Sequence, residues 1–237
     1  MIEALQLLGW GQGGWAAALL MAAAVTLVLS TLGFALGIVF GGVASACRLG
    51  RSRVLRFLAT SYGTVFRGVP DLLTIYLLYY GGSVALTAAG RAFGWQGFIG
   101  LPTFATGVLA LGVISGAYQA EVFRGAYLAI ERGQTDAARA LGLSRWVTLR
   151  QVIIPQLLRH ALPGISNVWQ LVLKDSALIS VIGLIELMRQ AQIGAGSTRE
   201  PFTFYIAAAV LYLAIASFTG IAFHRAEKQA SRGLQKA

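Results

Sequence analysis

Six ionisable side chains lie in stretches that are otherwise almost free of charge: Arg67 and Asp71 around Pro70, Glu121 and Arg124 in AYQAEVFRG, and the adjacent Lys174 and Asp175 in VLKDSALIS. A charge in apolar surroundings either pairs internally or meets a polar solute along a water-filled route. Carboxylates at Asp71, Glu121 and Asp175 suit a cationic side chain or an amino group, and Arg67 or Lys174 suits a carboxylate. The set therefore fits recognition of a charged solute. Glu121 and Arg124 share a helical face at i,i+3, and an internal ion pair of Glu121 with Arg67 across helices is the competing assignment. Lys174 and Asp175 stand about 100° apart around a helix and cannot serve one partner. Ser176 and Ser180, one helical turn apart, read first as packing contacts between helices.

Bond-making chemistry finds no support in the same residues. Cys47 is alone, His160 and His224 are far apart, and no nucleophile and base pair is recognisable. A phosphate-binding loop needs Gly, four residues, then Gly-Lys-Ser/Thr, and none of Lys174, Lys228 and Lys236 stands in that setting. No catalytic residue, metal or cofactor is expected in this chain, so energy for any pumping must come from another subunit.

Elements that could hold such charges follow from composition. The chain has 237 residues, 57% hydrophobic and 12% charged, against about 25% charged in a soluble domain. The expected fold class is an all-α integral membrane protein. Uncharged or nearly uncharged stretches place five spans at about 15–47, 57–86, 103–130, 164–184 and 202–223, the second broken at Arg67–Asp71. Pro70 removes a backbone donor there and opposes continuous helix, a break tolerated only against protein or a water-filled cavity. Gly33, Gly37 and Gly41 at four-residue spacing, with Gly42 next to them, are expected to allow a second helix close approach. No basic residue precedes Arg48, so the first span is expected to remain as a span rather than to act as a cleaved leader. Residues 1–14, with Trp10, read as an interfacial segment.

Nineteen Lys and Arg stand against nine acids, a balance that could suit nucleic acid, but the bases gather in short connections between apolar spans. That pattern is a topology signal. Four follow the first span (Arg48, Arg51, Arg53, Arg56), five lie between Arg132 and Arg159, and four close the chain from Arg225. Those 13 oppose only Arg91, Arg189 and Arg199 on the other side, which predicts an N-terminus outside and a C-terminus inside, with residues 224–237 a cytoplasmic tail. The connection 186–201 then lies outside, where Arg199 and Glu200 are candidates to meet an external protein.

The remaining long polar stretch, 131–163, is patterned. Thr135 is expected to cap a short helix with Asp136 in its first turn and Ala137, Ala138 and Leu141 on its apolar side. Gly142 would end it. Ser144 would cap a second helix carrying Trp146, Leu149 and Val152, and Pro155 would stop that helix. The order Asp136-Ala137-Ala138, Gly142, then Val152-Ile153-Ile154-Pro155 resembles the EAA loop of ABC importer permeases, with Asp136, Val152 and Ile154 as conservative departures. GVPD, AYQAEVFRG and VLKDSALIS resemble, in the same order, the matching stretches of polar amino-acid permeases, the histidine/lysine/arginine/ornithine and opine types in particular.

The resemblance implies a type-1 permease domain over 15–223, with a coupling loop at 131–155 that docks on an ATP-binding subunit through Asp136, Ala137, Ala138, Gly142 and Pro155. It also implies a second permease subunit, the same or a related chain, an extracytoplasmic solute-binding protein, and an amino-acid substrate that is polar and basic or opine-like. The chain would be a multi-pass subunit of the bacterial inner membrane, without catalysis of its own. An ion-coupled secondary carrier would also show buried charges and broken helices, but no pair of repeated halves is evident and the polar loop would lack a purpose.

Overall fold

The computed structural model describes residues 7–11 and 13–231. Among these, all regular structure is helical. Eight helices follow in order: α1 (Ala16–Leu49), α2 (Arg53–Gly68), α3 (Asp71–Ala92), α4 (Thr103–Leu128), α5 (Arg132–Ala140), α6 (Arg145–Ile182), α7 (Leu187–Thr198) and α8 (Pro201–Ala230). Five of them, α1, α3, α4, α6 and α8, are long and apolar enough to cross a membrane.

The glycine stripe of α1 decides the central packing. A Cβ on Gly33 would stand 2.6 Å from Leu111 Cβ, and one on Gly41 would stand 2.8 Å from Gln119 Cβ. Only missing side chains let α1 and α4 lie this close, and they form the most extensive helix pair in the fold. Leu29 and Phe34 of α1, Leu111 and Ile114 of α4, and Trp169 and Val172 of α6 then close one core. Phe34 meets Trp169 edge-on at a centroid distance of 5.3 Å, and Trp169 Nε1 donates to Thr219 Oγ1 of α8 at 2.9 Å. Beyond Phe204 and Ala208, α8 buries almost nothing: Ile206, Val210, Leu213, Phe218 and Ile221 all face outward.

Several expected boundaries are corrected. The second span does not begin near Phe57. Residues 53–68 form the separate helix α2, amphipathic, with Ala59 and Gly63 buried and Val54, Phe57 and Leu58 exposed; Tyr62 pins it to α4 by donating to Val113 O at 2.6 Å. Val69 is extended (φ −90°, ψ 137°), as a residue before proline must be, and the spanning helix starts afresh at Asp71.

Pro155 does not stop a helix either. It sits in the first turn of the segment Ile154–Asp175, directly after one π turn at Leu149–Ile153. The wider turn lies where proline's missing N–H would break the regular ladder, and α6 runs on through it. The fourth span accordingly begins at Arg145, well before 164.

Thr135 caps nothing. Glu131 occupies the N-cap of α5, and Thr135 Oγ1 donates within the helix to Arg132 O at 2.8 Å, so Asp136 falls beyond the first turn. The connection expected at 186–201 holds a helix, α7. Of the expected interfacial segment 1–14, residues 1–6 and 12 lie outside the described residues, as do Arg232 and Lys236 of the tail. The helix α8 continues to Ala230 without a break at 223.

Candidate translocation site

The break at Val69–Pro70 organises the charged residues. Arg67 stands on the last turn of α2 and Asp71 on the first residue of α3, where the positive end of the helix dipole favours an acid. Facing them on α4 are Tyr118, Glu121 and Arg124, aligned at i, i+3 and i+6. Asp175 ends the α-helical part of α6, and the chain tightens into a 3-10 helix over Ser176–Ile182 before Gly183 turns it with φ +93°. Tyr118 lies in electrostatic range of Asp71, Asp175 and Arg67, and Asp175 in range of Asp71. Asp71 and Asp175 are both half-buried. Asp71 and Asp175 form one end of a candidate polar strip, and Arg67, which pairs with Glu121, the other.

The guanidinium end is a cluster of three arginines on one carboxylate. Arg48 Nη1 lies 2.7 Å and Arg67 Nη2 2.8 Å from Glu121 Oε1, while Arg124 Nε lies 3.0 Å from Oε2. Arg67 also donates from Nε to Gly63 O at 2.8 Å. One side chain thereby ties α1, α2 and α4 together. The expected cross-helix pair of Glu121 with Arg67 is present, and Arg48, read in the sequence only as a topology signal, joins it.

Lys174 lies in electrostatic range of Asp175 but turns away from the strip. It lines a shallow groove with Gln170, Ala177, Tyr212 and Ala216, between α6 and α8, on a different side of the helix from Asp175. Ser176 and Ser180 are buried, and Ser176 Oγ donates to Leu173 O at 2.7 Å, which is packing chemistry.

A second candidate element lies between α4 and α6. Helix α5 closes with Gly142 at φ +72°, Leu143 N–H donating to Ala138 O and Gly142 N–H to Arg139 O, the arrangement glycine makes cheap. Ser144 then caps α6, accepting from Val147 N–H at 3.3 Å. Ala138 is buried, whereas Ala137, Leu141 (78% exposed) and Trp146 (65%) point outward. Asp136 is exposed beside Arg139 at 3.3 Å. Large apolar side chains exposed on a polar elbow mark a contact surface.

Sequence reasoning missed Glu186. Its side chain is fully buried and caps α7 by accepting from Met188 N–H at 2.9 Å and Arg189 N–H at 2.8 Å. Tyr212 Oη of α8 donates to it at 2.9 Å, and Thr26 Oγ1 of α1 lies 3.4 Å away while accepting Leu187 N–H at 3.0 Å. Burial pushes the Glu186 carboxyl above its ordinary range, against the pull of these donors.

The chain is similar to known proteins along nearly its whole length. The family model for the binding-protein-dependent transport system inner membrane component matches residues 33–229. The octopine transport system permease protein of Rhizobium meliloti is 50% identical over 98% of this chain and 98% of its own. The histidine/lysine/arginine/ornithine transport system permease protein of Escherichia coli is 36% identical over 94% of this chain and 98% of its own. A crystal structure of an amino acid ABC transporter with histidines superposes with a TM-score of 0.76 at 32% identity, covering 91% of this chain and 95% of that one. The chain therefore belongs to the family of binding-protein-dependent transport system inner membrane components, as a non-catalytic, multi-pass permease subunit that works with an ATPase and a partner permease in an ABC importer.

Proposed function

We propose that the polar strip at the Pro70 break is the substrate route of an importer for cationic amino acids and their opine derivatives. The observation that carries this reading is the break at Val69–Pro70 itself, which interrupts the backbone ladder between Arg67 and Asp71, with Tyr118 in electrostatic range of both and of Asp175. Asp71 and Asp175 receive the cationic group, and Arg67 receives a carboxylate. Glu121, held by three arginines, acts as the tie between helices. The octopine and the histidine/lysine/arginine/ornithine relatives support this choice of solute.

The N-terminus faces outside and the C-terminus the cytoplasm, the orientation favoured by the 13 basic residues of the cytoplasmic connections and tail. Residues 131–155 then lie inside, where Ala137, Leu141 and Trp146 dock on the ATP-binding subunit and Gly142 sets the elbow angle. Closure of the ATPases moves that elbow, and the continuous helix from Arg145 to Ile182 carries the movement through Pro155 to Asp175. An extracytoplasmic solute-binding protein delivers the solute to the outer end, near α7.

The test is uptake by the reconstituted complex. An Asp71→Ala variant should assemble normally and lose at least about tenfold in uptake of a cationic substrate, the worth of one charge-assisted contact. Undiminished uptake refutes the route.

A further inference from the structure

We infer that the arginine cluster around Glu121 is a carboxylate-reading subsite, with Arg67 and Arg124 selecting solutes that carry two carboxylates over those that carry one. The inference rests on the substrate route proposed above and names what that route discriminates.

Charge count comes first. Three guanidiniums meet one carboxylate, and both oxygens of Glu121 are committed, Oε1 to Arg48 and Arg67 and Oε2 to Arg124. Among the described residues no second carboxylate lies within ion-pair distance of them. Two positive charges are left over. Tying α1, α2 and α4 together uses Arg48 and Arg67 on Glu121; Arg124 shares a helix with Glu121 and adds nothing to that tie, so the net surplus of positive charge is free to take an anionic partner that the described residues do not supply.

Geometry says where that partner comes from. Arg48 is largely covered, with 15% of its side chain exposed, whereas Arg67 and Arg124 keep 35% and 36% exposed. A guanidinium has five N–H donors. Arg124 spends Nε on Glu121, and Arg67 spends Nε on Gly63 O and Nη2 on Glu121, which leaves donors on both for a bidentate carboxylate. Arg67 also shares the neighbourhood of Tyr118 with Asp71 and Asp175. A solute whose cationic group lies at the two aspartates thus points its acid groups toward the arginines. A plain amino acid brings one carboxylate there. An N-carboxyalkyl amino acid, as opines are, brings two, and so matches the surplus.

Equilibrium binding to the purified permease–ATPase complex, without the solute-binding protein, tests this with ligands that share a guanidinium: agmatine, arginine, octopine and nopaline, carrying no, one, two and three carboxylates. Affinity should rise about tenfold from agmatine to arginine and about tenfold again to octopine, the scale of one charge-assisted contact each, and then level off at nopaline. Arg124→Gln should abolish the step from arginine to octopine, and Arg124→Lys should restore part of it. If the Gln variant does not assemble, the ligand series on the unaltered complex decides. Octopine binding no tighter than arginine, or a step that survives Arg124→Gln, overturns the subsite and leaves the route standing. Binding of none of the four overturns both.

Discussion

Glu121 and Glu186 carry the same group and are satisfied in opposite ways. Glu121 is met by three cations and remains partly open, 23% of its side chain exposed. Among the described residues no cation meets Glu186; two backbone N–H groups and a tyrosine hydroxyl hold it, with a threonine hydroxyl close by, in full burial. A carboxylate fixed by neutral donors makes a dry joint, here binding α1, α7 and α8. A carboxylate surrounded by more cations than it can neutralise leaves charge in play, and that is where a solute has something to recognise. Both tie helices together, but only the first lies beside the break at Pro70.

The contrast predicts a ranked set of losses. Glu186→Ala should cost the most, about 3 kcal/mol, because Tyr212 Oη and the N–H groups of Met188 and Arg189 are left buried without an acceptor. Thermal melting of the purified complex reads it directly. Glu121→Gln should cost about 2 kcal/mol, less than a fully buried pair because the arginines are partly solvated. Raising salt should narrow that loss while leaving the loss at Glu186 unchanged, since screening acts on the exposed cluster and not on the dry joint. Equal salt responses would erase the distinction.

The smallest effect is a pH dependence. Burial raises the Glu186 carboxyl above its ordinary 4.5, so the folded protein keeps this proton to a higher pH than the unfolded chain does. The associated stability is complete below about 4.5 and is lost as pH climbs through the raised value. Measured against Glu186→Gln, which does not titrate, the unaltered protein should lose melting temperature between acid and neutral pH. A constant difference across that range would place the carboxylate in an environment no different from water.

How much of this was legible in the chain depends on how local each feature is. The Pro70 break, the Gly142 turn and the glycine stripe of α1 follow from single residues and their spacing, and the five long apolar helices from composition. Pro155 was misread because a proline after a polar run ordinarily ends a helix, and the π turn that absorbs it has no signature in residue type. Thr135 lost the cap to Glu131 because α5 starts four residues earlier than its apolar pattern does. Glu186 was out of reach: in sequence it opens a connection between spans and looks solvated. Only the approach of Thr26, 160 positions away, and Tyr212 buries it. Arg48 was hidden by its own legibility, since a basic residue after a span already had an explanation.

A substrate route at Pro70 requires a wet strip there, and the Glu186 joint must stay dry. With Cys47 replaced by serine, single Asp71→Cys and Glu186→Cys variants of the assembled complex can be exposed to a charged, membrane-impermeant thiol reagent. The Asp71→Cys thiol should react, while the Glu186→Cys thiol should stay unmodified in any complex that remains folded. An unreactive thiol at position 71 beside a reactive one at 186 would contradict the assignment of the route.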